Sequence, residues 1–143
     1  MWQTYSSIWL HYIWSTKKRE PLISSTIENI LYEKMREVAK TEKFHLDHIN
    51  GIEDHLHCLV SIDTTFRIFD IPKLLKGGSS YFINEQKLIE EYFDWQDGYG
   101  VFSVSPTHLP QVRNYIRNQK KHHRRLSFDE EIRNLKDSTI KFK

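Results

Sequence analysis

The segment His55-Leu56-His57-Cys58-Leu59-Val60-Ser61-Ile62 alternates with a period of two. Leu56, Cys58, Val60 and Ile62 share one side, and His55 and His57 share the other. That is the pattern of an extended strand with one face committed to a core. Such a strand needs neighbouring strands and a covering layer, and the rest of the chain must supply both. Residues 6–15, Ser-Ser-Ile-Trp-Leu-His-Tyr-Ile-Trp-Ser, are β-branched and aromatic and predict a further strand. Residues 44–52 predict another, antiparallel to His55–Ile62 because the connection between them is so short. The turn Trp95-Gln96-Asp97-Gly98-Tyr99-Gly100 precedes a last strand from Val101 to Ser105.

The covering layer is predicted from helical spacing. Ile23, Ile27, Ile30, Leu31, Met35 and Val38 mark an amphipathic helix from about Ile23 to Lys40. Ile71, Leu74, Leu75, Tyr81 and Phe82 mark a second over 70–90. Gly77-Gly78 interrupts it at about 1–2 kcal/mol in total, and so marks close backbone packing or a ligand. A third helix is predicted from Leu109 to Leu126, after the linker Pro106 to Pro110. Ser127, with Glu130 three residues on, predicts the cap of a short acidic helix reaching Leu135. The order β-α-β-β-α-β, then α, predicts an α+β, ferredoxin-like antiparallel sheet with an extra C-terminal helix bearing Tyr115.

With 143 residues, the chain is the size of one domain, 1–143, and large enough to form a core without staples. Cys58 is the single cysteine, so no internal disulfide exists. The aromatic content of 13% excludes a disordered chain. No apolar run reaches membrane-spanning length, and Met1-Trp2-Gln3-Thr4 does not read as a signal peptide. The expectation is a soluble, cytoplasmic protein. A net charge of +2 leans only mildly toward an anionic partner.

His55 and His57 lie roughly 6.5–7 Å apart along a strand and point the same way, close enough to share one metal ion. They can equally be strand histidines without a ligand. On the third helix, Leu109, Val112 and Ile116 form the apolar stripe, with Tyr115 and Gln119 stacked beside it four residues apart. Tyr115 can be a core-edge residue and Gln119 a solvated one; together with the histidines they offer more. Two neutral imidazoles and an amide oxygen make a site with open positions, suited to a catalytic ion. The oxygen ligand and the lack of thiolates favour Mg2+ or Mn2+. Cys58 faces away.

The basic groups Lys120, Lys121, Arg124 and Arg125 follow Gln119, and Lys17, Lys18, Arg19, Lys73 and Lys76 add to them. These are candidate phosphate contacts, although cations at a helix C-terminus are favourable in any case. Trp2, Trp9, Trp14, Trp95 and Tyr99 offer either stacking surfaces for unpaired bases or core packing.

Asp54-His55-Leu56-His57-Cys58-Leu59-Val60 resembles the histidine-hydrophobe-histidine (HUH) motif, and Asn114-Tyr115-Ile116-Arg117-Asn118-Gln119 resembles a single-tyrosine catalytic helix. Nearly the whole chain is similar to the small single-tyrosine HUH transposases of the insertion sequence 200/605 group, which includes the REP-associated tyrosine transposases. The resemblance implies that Tyr115 is the nucleophile and that His55, His57 and Gln119 hold a divalent ion. It implies a 5′-phosphotyrosine intermediate and a freed 3′-hydroxyl. A free tyrosine needs a base or a metal to activate it, and His122 or His123 is a candidate helper. It also implies a hairpin-bearing single-stranded DNA partner and a homodimer in which one subunit's tyrosine helix can complete the other's site. Three alternatives use the same residues or scaffold: a replication-initiator or relaxase-like nickase, a metal hydrolase in which water attacks, and a non-catalytic nucleic-acid-binding module.

Overall fold

The structure is a computed structural model that describes residues 3–122 and 127–137. Trp2, His123, Arg124, Arg125 and the His122 side chain lie outside the described residues. Four strands form one sheet: β1 (Ile8–Ser15), β2 (His45–Ile52), β3 (His55–Ile62) and β4 (Gly100–Ser103). Their spatial order is β2-β3-β1-β4, and every pair is antiparallel. Helices α1 (Glu28–Glu42) and α2 (Asp70–Glu85) are the two crossovers. This is the expected βαββαβ arrangement.

Cross-strand partners share a face, so the register fixes two distinct surfaces. Leu10, Tyr12 and Trp14 of β1 stand with Val60, Cys58 and Leu56 of β3. These six join Leu31, Met35, Ile71 and Leu75 of α1 and α2 in the main core. The opposite face carries His11, Ile13, His55, His57 and Leu59. It is covered by α3 (Leu109–Arg117), the short α4 (Gln119–His122) and α5 (Phe128–Lys136). Leu59 packs there with Leu109, Val112, Tyr115 and Ile116. β3 is therefore buried on both faces, and its alternation separates an apolar side from a histidine-bearing side.

The helix predicted from Leu109 to Leu126 is not continuous. It ends at Arg117, and Asn118 leaves helical geometry at φ −98°, ψ 20°. The cause is Asn50 of β2, whose side-chain Nδ2 donates to the carbonyls of Ile116 and Arg117 at 3.0 and 3.1 Å. Those carbonyls need partners at a helix end. Lys120 Nζ then donates to Asn50 Oδ1, the Gly51 carbonyl and Glu28, fixing the turn that follows.

α1 starts later than its apolar spacing predicts, because Ile23 and Ile27 fill the core from turns ahead of it. α2 ends earlier than residue 90. Asn84 bonds both backbone groups of Phe93 at 2.8 Å and turns the chain back. Of the glycine pair, Gly78 marks close packing: a Cβ there would lie 2.8 Å from Val38 of α1.

A bulge between Leu46 and His48 leaves Asp47 outside the β2–β3 ladder. A bulge re-aims the extra side chain, and Asp47 accepts from Arg113 of α3 at 2.9 and 3.2 Å. Burial opposes ionisation of Asp47, but bonds from Arg113, His48 and His45 outweigh it and hold the carboxyl down at about 2. A depressed carboxyl stabilises the fold above its unfolded value of about 3.9 and loses that contribution as pH falls through its folded value. The stability gap between wild type and Asp47→Asn, measured by urea unfolding, is expected to be constant near neutrality and to close between about pH 4 and pH 2.

Gly51 faces Leu56 across the tight β2–β3 hairpin. A Cβ at Gly51 would lie 2.2 Å from the His55 carbonyl and 2.7 Å from Leu56 Cα, both backbone atoms that cannot swing aside. Gly51→Ala is expected to lower unfolding free energy by at least about 1–3 kcal/mol, read as a shifted urea midpoint.

Candidate metal and nucleophile site

The site starts from β3. His55 and His57 are both fully buried, so each ring nitrogen needs a partner. His55 Nδ1 meets Asp54 Oδ1 at 2.7 Å, and His57 Nδ1 meets His11 Nε2 at 2.7 Å. Anchoring both rings by Nδ1 leaves both Nε2 atoms directed at one place. There they meet Oε1 of Glu131, at 3.6 Å from His55 and in close contact from His57. One ligand atom from each of these three residues lies within 4.8 Å of the others. Outer hydrogen bonds that orient a histidine and leave one nitrogen free to ligate are the usual support of a metal site. The donor set thus fits a divalent cation.

The electrostatics follow from burial. Desolvation, then the neighbouring His57, pushes the His11 imidazole down to about 3, so it stays neutral. Burial alone would lower His55, but its bonds to Asp54 and Glu131 outweigh that and raise it. The Tyr115 phenol is held well above the ordinary tyrosine range. Burial is the main cause, followed by the charge and hydrogen bond of Glu131, with a Gln119 hydrogen bond opposing.

Tyr115 comes from α3, where the Val112 and Ile116 stripe seats the helix on Leu59. Its ring lies 5.6 Å from that of His57 and 6.1 Å from that of His11. The tyrosine is largely buried, yet it sits within its own chain's histidine cluster. Gln119, one turn on, is fully buried on the same side, with its Nε2 donating to the Tyr115 carbonyl at 3.4 Å. The structure therefore brings together His55, His57 and Tyr115, with Gln119 against Tyr115, while the third group at the two Nε2 atoms is Glu131.

Two further members of the cluster escaped the sequence reading. His11 carried a signal: in the β1 alternation it falls opposite Leu10 and Tyr12, on the face of the histidine pair. Glu131 carried a fainter one. It lies on the same side of α5 as Phe128, Ile132 and Leu135, an acid on an apolar stripe, and it is fully buried.

The predicted phosphate contacts divide. Lys18, Lys73 and Lys121 are exposed. Lys17 lies 4.0 Å from Asp94. Arg19 pairs with Asp129 of α5 and stacks on Phe128 at 5.0 Å. Lys76 donates to the carbonyls of Gln96 and Gly98, and Lys120 is engaged by Glu28, Asn50 and Gly51. Arg124 and Arg125 lie outside the described residues. Trp14 and Trp95 are core residues, whereas Tyr99 is 39% exposed. Trp9 is partly buried and stacks with Arg113. No helix among the described residues is long and apolar enough to cross a membrane.

This geometry has known counterparts. The ISDra2 transposase TnpA of Deinococcus radiodurans is 27% identical over 114 residues, which cover 76% of this chain and 81% of that protein. A crystal structure assigned to a transposase of Deinococcus radiodurans R1 superposes with a TM-score of 0.66 at 25% identity, covering 81% of this chain and 93% of the other. The REP-associated tyrosine transposase bound to a REP hairpin shares the fold, with a TM-score of 0.61 at 15% identity over 86% of this chain and 73% of its own. Residues 4–119 match the family described as Transposase IS200 like. That match spans most of the sequence and closes on Gln119, one turn beyond the tyrosine; the chain belongs to the IS200-like transposase family, whose members cut and rejoin single-stranded DNA.

Proposed function

We propose that this transposase breaks and rejoins hairpin-bearing single-stranded DNA through a covalent bond to Tyr115, with a divalent ion, Mg2+ or Mn2+, held by His55, His57 and Gln119. The observation that carries this reading is the Tyr115 ring 5.6 Å from His57, inside the cluster where both Nε2 atoms converge. A bound cation supplies charge neutralisation at the scissile phosphate and at the departing oxygen. Everything else is done by the protein.

His11 and Asp54 orient the imidazoles. Asn50 and Arg113 fix the tyrosine helix against the sheet, which keeps the phenol aligned; such positioning is a large part of phosphoryl-transfer catalysis. The Tyr115 oxygen attacks phosphorus in line and gives up its proton to water, which returns one to the leaving 3′-oxygen. The bond from phosphorus to the 3′-oxygen breaks, and that oxygen leaves as a hydroxyl after taking a proton. The DNA 5′-phosphate stays on the phenol. A second 3′-hydroxyl then attacks the same phosphorus and restores Tyr115. The energy of the original bond is kept in the phosphotyrosine, so no nucleotide hydrolysis is needed. Because Tyr115 rests on its own chain's histidines, the homodimer implied by the family is not required to bring the nucleophile to them. A DNA path over Lys18, Lys73 and Lys121 uses the exposed cations.

Incubation of 3′-end-labelled hairpin-bearing single strands with Mn2+ and protein, followed by denaturing electrophoresis, is expected to give a labelled protein adduct. Tyr115→Phe is expected to abolish the adduct and the cleavage together. His57→Ala is expected to reduce cleavage at least a hundredfold with hairpin binding retained. Cleavage that persists in Tyr115→Phe without an adduct would identify water as the nucleophile. Replacing Lys18, Lys73 and Lys121 with Ala is expected to flatten the salt dependence of strand binding by about 0.7 in log–log slope for each cation that meets a phosphate. An unchanged slope puts the strand elsewhere.

A further inference from the structure

Glu131 stands apart from the rest of the site. It lies beyond residues 4–119, the stretch matched by the family. Its carboxylate is fully buried, and an acid in that state needs strong partners. It has them: the Nε2 atoms of His55 and His57 on one side and the Tyr115 hydroxyl on the other. α5 is held over the site by Phe128, whose ring lies 4.8 Å from that of His55, and by the Arg19–Asp129 pair. Ile132 lies near the position of a Gly100 Cβ, against the Ile13 side of the sheet. Ser127 and Glu130 form a capping box that fixes the start of the helix.

Two consequences follow. Two imidazoles and one carboxylate are a familiar set of protein ligands for a catalytic divalent ion, and Glu131 would join the Gln119 ligand proposed above rather than replace it. In addition, a phosphate attacked by Tyr115 and neutralised at the histidine pair must lie between the two. The Glu131 carboxylate occupies that place, with an anion's charge and an anion's acceptor oxygens. Both anions cannot fill it at once.

Resting on the metal-assisted reading above, we propose that Glu131 is a ligand of the divalent cation in the DNA-free protein and stands in for the scissile phosphate until DNA replaces it. α5 is then a cap that carries its own substitute for the substrate. It completes the ion's shell at rest, and its carboxylate must withdraw before a strand reaches Tyr115.

The test uses the full chain without DNA and Mn2+ as the probe. Isothermal titration would compare wild type, Glu131→Gln, Glu131→Ala and His57→Ala, with circular dichroism and thermal melts to check folding. Glu131→Ala is expected to weaken Mn2+ binding at least tenfold, the lower end of what even an outer-shell partner costs. Glu131→Gln carries the same expectation if the alanine variant fails to fold. Inorganic phosphate is the second probe. With each protein saturated in Mn2+, phosphorus resonance broadening by the bound ion is expected to be several-fold greater in Glu131→Ala than in wild type, because the place is vacant. Unchanged Mn2+ affinity in both Glu131 variants, with loss in His57→Ala, overturns the proposal and leaves the histidine-held ion standing. Equal phosphate broadening in wild type and Glu131→Ala overturns the stand-in role. If His57→Ala also binds Mn2+ normally, the ion is not at the histidine pair, and both readings fall.

Discussion

A carboxylate buried between imidazoles is the interaction on which the site's arrangement depends. Taking a charge out of water is costly, and only close, hydrogen-bonded partners offset it. Glu131 meets that condition through His55 and His57. The imidazoles in turn need their far nitrogens satisfied, which Asp54 and His11 do. The chain of bonds thus runs from a β1 histidine, through β3, to a helix near the end of the sequence. Each member is fixed by the next, and a change at one end is felt at the other. Breaking a buried charged pair by removing one partner costs about 3–5 kcal/mol in general, so the network orders the site as well as equipping it.

The scaffold under that network has a division of labour. The α1–α2 face of the sheet is apolar and close-packed, with Gly78 letting the two helices approach. The other face places chemistry under a thinner cover. α3 is seated there by its apolar stripe on Leu59 and pinned by polar anchors from β2: Asn50 at its last carbonyls and the bulged Asp47 at Arg113. These act at defined points and fix the helix's position along the sheet. That is what a nucleophile needs, since positioning is lost with small displacements. β2 contributes none of the proposed reacting groups, yet Asn50 pairs across the ladder with His57. The same strand segment therefore sets the place of the tyrosine helix and the place of His57, a proposed metal ligand.

Much of this was legible in the residues. Period-two alternation gave β3 at its observed bounds, because every second position is apolar and a one-residue slip would turn the set away from the α1–α2 core. The order of elements gave the sheet. A spacing of two on a strand put His55 and His57 on one face; Tyr115 and Gln119, read as four apart on one helix, straddle the break at Asn118, yet Gln119 still lies against Tyr115. The end of α3 could not be read, because nothing local stops the helix at Arg117; the stop comes from Asn50, far away in sequence. Glu131 was hidden for a similar reason. It sits in a run of acids, Asp129, Glu130 and Glu131, where only its place on the apolar side of α5 distinguishes it. Lys76 and Lys120 looked like free cations in a charge count, whereas backbone carbonyls and Glu28 hold them in the fold.

The state of Tyr115 ties these strands together. The Tyr115 phenol is raised above its ordinary value, and the elevation has two sources, burial and the adjacent Glu131 carboxylate. Both belong to the closed arrangement. In the proposed cycle the carboxylate that fills the place of the phosphate also lies against the phenol, so the withdrawal of α5 that would admit a strand would also remove the anion beside Tyr115. Access to the histidine pair and the surroundings of the proposed nucleophile are thereby tied to one buried side chain.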